Sequence, residues 1–142
     1  MRKLLLICCI FAYSQLNAQS YSNFESVGQR ALSIFQSLDY ISEDDFVEIF
    51  QPGLNAGGFS YTEKVEANNS YREFYRDIKQ ESRNSGMRWS NIQFVEFYKY
   101  PVEEEGGITC RVGVLRFSYK GEIRRRKIVT ILKDGRYYLL RM

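Results

Sequence analysis

The chain has 142 residues, twenty Lys and Arg against seventeen Asp and Glu, and a formal net charge of +3. It contains three cysteines and no histidine. The missing histidine excludes Ser-His-Asp and Cys-His catalysis, histidine metal sites and the commonest general base.

Residues 1–18 read as an export signal. Arg2 and Lys3 form a charged start, 4–13 an apolar run, and Ala18 a small residue suited to cleavage. The run is too short to cross a bilayer and polar residues follow it, so no membrane span is expected. Ile7 before Cys8 does not fit a lipid-attachment motif, which wants a small residue there. The expected location is periplasmic or secreted, after cleavage near Ala18. The remaining residues 19–142 are enough for one core and too few for two, so a single domain is expected. Cleavage removes Arg2 and Lys3 and leaves a net charge of +1. That balance carries no message about nucleic acid. Cys110, then the only cysteine, lacks an internal disulfide partner and reads as a small buried hydrophobe on a strand.

Three helices are expected. Ser22 and Glu25 form a capping box ahead of Phe24, Val27, Ala31, Phe35 and Leu38 at helical spacing. Ser42 and Asp45 open a shorter helix, with Glu43, Asp44 and Asp45 favourably placed in its first turn and Pro52-Gly53 as its stop. Residues 51–69 read as a loop, with an edge strand at 59–65. Ser70 and Glu73 form a second capping box, Tyr71, Phe74, Tyr75 and Ile78 follow as a stripe, and Gly86 closes the helix.

The rest is sheet. Residues 90–100 alternate as a first long strand, the acids Glu103, Glu104 and Glu105 mark a turn, and 108–142 hold three runs joined by Lys120-Gly121 and Asp134-Gly135. Two-residue turns of this kind are hairpin signals, because type I′ geometry needs positive φ at both positions. They pair Tyr119 with Glu122 and Lys133 with Arg136. Counting back gives the rows Val112–Val129–Leu140 and Cys110–Ile131–Tyr138 on one face, to be buried. The other face carries Arg111–Thr130–Leu139, Gly113–Ile128–Arg141, Leu115–Arg126 and Phe117–Arg124. It reads as a mixed basic and apolar outer surface, with a bulge expected near Gly113.

Several residues are candidates for function. Glu96, Tyr98 and Tyr138 are expected to line a ligand pocket, Glu96 being the natural carboxylate for a raised pKa and the tyrosines offering an apolar body with a polar tip. Leu115, Phe117, Arg124, Arg126 and Ile128 are expected to form an interface on the outer face, in a homodimer. Arg124 to Lys127 looks like a nucleic-acid motif as a string, but strand alternation splits it between two faces and no nucleic-acid partner is expected. No catalytic residues, metal ligands or cofactor are assigned.

This order of elements, ending in the Lys133-Asp134-Gly135-Arg136 hairpin and the aromatic last strand, resembles the nuclear transport factor 2-like superfamily, the cystatin-like α+β cone. The resemblance implies N-terminal helices packed on a curved four-stranded antiparallel sheet, with a pocket at one end and dimers through the outer sheet face. Its dehydratase-like members use histidine, which this chain lacks, and no residue set here matches the acid and tyrosine of its isomerases. The expected function is therefore that of a secreted or periplasmic non-catalytic binding domain, holding a small apolar or anionic ligand or a protein partner. The alternatives are an isomerase or lyase using a buried carboxylate with tyrosine, and an envelope-associated scaffold acting through the outer sheet face.

Overall fold

A computed structural model describes residues 23–100, 103–105 and 108–142. The expected export signal, its cleavage point and Ser22 lie outside the described residues. Helix α1 (Phe24–Ser37) begins behind Asn23, whose side chain accepts from the Ser26 N–H, so the cap sits one residue later than the expected Ser22. Helix α2 (Glu43–Glu48) has the expected Ser42 cap, which accepts from Asp45 N–H. Pro52 does not stop the helical run. It lies in the first turn of a further helix, α3 (Gln51–Ala56), where a missing N–H costs nothing.

The largest departure is α4 (Tyr61–Ser85), whose cap, Ser60, lies ten residues before the expected Ser70. Its capping box is Ser60 and Glu63, each bonding the other's backbone N–H. The apolar and polar alternation of 59–65 suggested an edge strand. The capping box prevails, and Tyr61 and Val65 are left exposed on the helix surface. Ser70 is mid-helix, its hydroxyl donating back to Glu66 O. Gly86 ends α4 in the left-handed conformation, as expected.

After a 3₁₀ turn (Trp89–Asn91) come β1 (Gln93–Lys99), β2 (Glu103–Glu105), β3 (Ile108–Tyr119), β4 (Glu122–Lys133) and β5 (Arg136–Arg141). The three glutamates are thus strand, pairing with the start of β3, where a plain turn was expected. The sheet runs β1-β3-β4-β5, all antiparallel and open at both edges, with β2 beside β3 on the same side as β1. The chain is α+β, with helices packed on a four-stranded antiparallel sheet, as expected.

Both hairpin turns have positive φ throughout, 49° and 81° at Lys120-Gly121 and 52° and 74° at Asp134-Gly135. The β3–β4 register follows, from Tyr119 opposite Glu122 to Cys110 opposite Ile131. No irregularity falls at Gly113. The shifts lie in β1, between Phe94 and Glu96, and in β5, where Arg141 and not Leu140 stands opposite Val129.

The helix face of the sheet holds Phe97, Gly113, Leu115, Phe117 and Ile128. Phe35 of α1 lies 5.9 Å from Phe117 and 5.6 Å from Trp89, ring to ring, and Phe24 lies 5.1 Å from Phe97. At the other end α3 meets the sheet by close backbone approach. A Cβ at Gly53 would stand 2.1 Å from the Leu139 carbonyl oxygen, so only glycine fits there.

Candidate interaction face

The five residues expected on an outer interface are on the helix face. Leu115, Phe117 and Ile128 have no exposed surface, covered by the α1 and Trp89 layer. Arg124 and Arg126 reach Glu81 of α4 at 3.0 and 3.6 Å. The arginines made this face read as solvated, whereas the counter-charge comes from a helix more than forty positions away in sequence. These five residues offer no dimer surface.

The opposite face is buried at one end and open at the other. Cys110, Val112, Val129 and Ile131 are buried, as expected for that face. Toward the Lys120-Gly121 turn it opens into two rows crossing three strands. One row is Glu96–Arg116–Arg125 and the next Tyr98–Val114–Lys127. Glu96 and Arg116 form an ion pair of 2.7 Å. Arg116 and Arg125 are cross-strand partners, and like charges directly opposite are destabilising. Among the described residues, Arg125 has no carboxylate in ion-pair reach. Tyr98 is half-buried against Val114, with Tyr100 at 6.5 Å between ring centres.

The expected pocket trio therefore does not converge. Glu96 is exposed and paired, not buried beside tyrosines, because the bulge after Phe94 turns it to the open side opposite Arg116. Tyr138 shares the outer face but stands on β5, three strand spacings or ~14 Å from β1. The space between α1 and the sheet is filled by Phe35, Trp89, Phe117 and Ile128. Tyr100, Arg125 and Lys127 were missed as site residues. The alternation that splits 124–127 between faces already puts Arg125 and Lys127 opposite Arg124 and Arg126.

The perturbed titratable groups serve the helices. Burial pushes the Tyr71 phenol far up, and its O–H donates to Leu140 O at 2.6 Å, tying α4 to β5. The Arg76 and then the Arg72 guanidinium hold the Glu43 carboxyl below the ordinary carboxylate range, clamping α2 to α4. A lowered folded pKa gives stability that is present above the unfolded carboxylate range and lost as pH falls through the folded value. Glu43→Gln should therefore lower the Tm at neutral pH, and the deficit should vanish in acid. A Tm difference that stays constant across a pH series would disprove the clamp. Among the described residues no cluster of three or more His, Cys, Asp or Glu is placed to hold a metal.

Comparison of the chain with protein-family models, with curated proteins and with solved structures found no match in any of the three.

Proposed function

We propose that this chain is an exported, non-catalytic interaction domain of nuclear transport factor 2-like architecture, acting through the open part of its outer sheet face. The observation that carries the reading is the contrast between the two faces. The helix face is filled with large buried side chains, while the outer face presents Arg116, Arg125, Lys127 and Tyr98 on a rigid sheet. A cation row that opposes its own sheet pairing is a local conflict, and such conflicts gather at functional sites. The carboxylate best suited to an isomerase, Glu96, is engaged with Arg116 in the open. The apolar run of 4–13 behind Arg2 and Lys3 supports export.

Native mass spectrometry on the protein purified from its own host tests this. The wild type is expected to carry a bound mass that the Arg125→Glu/Lys127→Glu variant loses. A bare monomer from both, or a bound mass indifferent to the change, overturns the reading.

A further inference from the structure

Charge is divided between the two layers of this molecule. Residues 23–92, the helical layer, carry seven basic and eleven acidic residues, net −4. Residues 93–142, the sheet, carry eleven basic and six acidic, net +5. On the helix side of the sheet Arg124 and Arg126 are engaged by Glu81, whereas Arg116, paired with Glu96, and the exposed Arg125 and Lys127 lie on the outward face. The chain is thus an electrical dipole whose positive side is the sheet.

Apolar side chains accompany the cations. Ile123 is 48% exposed two positions from Arg125 on the same face, and Tyr100 is 50% exposed beside Tyr98. β3, at the centre of this patch, has β1 on one side and β4 on the other, so there the face presents side chains and not backbone N–H and C=O groups. An added peptide strand would have to take the open edge of β4 at 122–128, where EIRRRKI sets charge at most positions against it. A second copy placed face to face would set cations against cations.

We infer that the outer sheet face docks on an anionic lipid surface, an assignment that rests on this face being the interaction site. Phosphate headgroups complement the cations, and long basic and tyrosine side chains can bury their apolar parts at the headgroup boundary while keeping polar ends wet. The acidic helical layer is then turned away from the membrane, which the same charge attracts on one side and repels on the other. No helix among the described residues is long and apolar enough to cross a membrane, so the attachment is to the surface.

Flotation of the protein purified from its host tests the assignment, with vesicles of phosphatidylcholine alone and with roughly a third phosphatidylglycerol added. The protein should float with the anionic vesicles and not the neutral ones, and less so as salt rises. Arg125→Glu/Lys127→Glu should weaken partition by about tenfold or more, since each basic residue near the surface contributes separately. Arg83→Glu/Arg88→Glu, the same charge change on exposed helical-layer positions, should hold within about twofold. Ile123→Ser, which leaves every charge in place, should weaken partition and guards against misfolding of the charge variant. Absence of flotation, or equal loss in the two charge variants, overturns the assignment. If flotation fails while the mass-spectrometric complex persists and depends on Arg125, the lipid is wrong and the interaction face stands; if both fail, both fall.

Discussion

Phe117→Ala should destabilise the chain by about 3–5 kcal/mol in urea unfolding. Phe117 has no exposed surface and stacks into a three-ring group with Phe35 and Trp89, at 5.9 Å from each. Removing its ring loses the transfer free energy of the side chain and leaves a cavity that α1 and the 3₁₀ turn, held by their own packing, fill only in part. Surface substitutions usually stay within ±0.5 kcal/mol, so the measurement separates a core residue from an interface residue by several-fold. A change below about 1 kcal/mol would return Phe117 to the surface and undo the assignment of faces.

Gly53→Ala should be nearly as damaging, although it adds only a methyl group. That methyl would stand 2.1 Å from the Leu139 carbonyl oxygen and 3.0 Å from its carbon, both backbone atoms of β5. Backbone in a paired strand does not swing aside like a side-chain tip, so α3 must move off the sheet. The expected cost is about 1–3 kcal/mol, the range for overpacking. It prevails over the gain of up to ~1 kcal/mol that alanine normally brings to a helix interior. Gly53→Ala with an unchanged or raised urea midpoint would mean that α3 does not approach β5 this closely.

The sheet was legible in the sequence wherever a turn and a period agreed. Asp134-Gly135 and Lys120-Gly121 each require one conformation, and that conformation sets the pairing of everything between them. What periodicity could not supply was the side of the sheet that the helices take. Both faces carry apolar residues, and the Arg124–Phe117 and Arg126–Leu115 rows look solvated until Glu81 is brought to them through space. The error in faces then displaced the site. The interface expected from Arg124 and Arg126 falls on the covered side, while Arg125 and Lys127, split from them by strand alternation, carry no site role in that reading. For α4 the signal was present at Ser60 and Glu63, yet the alternation of 59–65 was given more weight than a cap that satisfies two N–H groups.

The short last strand has a consequence for how the protein stays apart from its own copies. β5 pairs with β4 only from residue 129 to residue 133, so among the described residues the other half of β4 has no strand on that side. A bare, regular strand edge is a template on which an incoming chain can add itself and begin an aggregate. Here that half reads EIRRRKI, so an intruding strand would meet charge at most positions. Two of the arginines are tied to Glu81, which anchors the strand to the long helix. The run of cations thus acts as a gatekeeper against fibre-like growth, and neutralising Arg124 and Arg126 would expose a hazard that a stability measurement alone would not register.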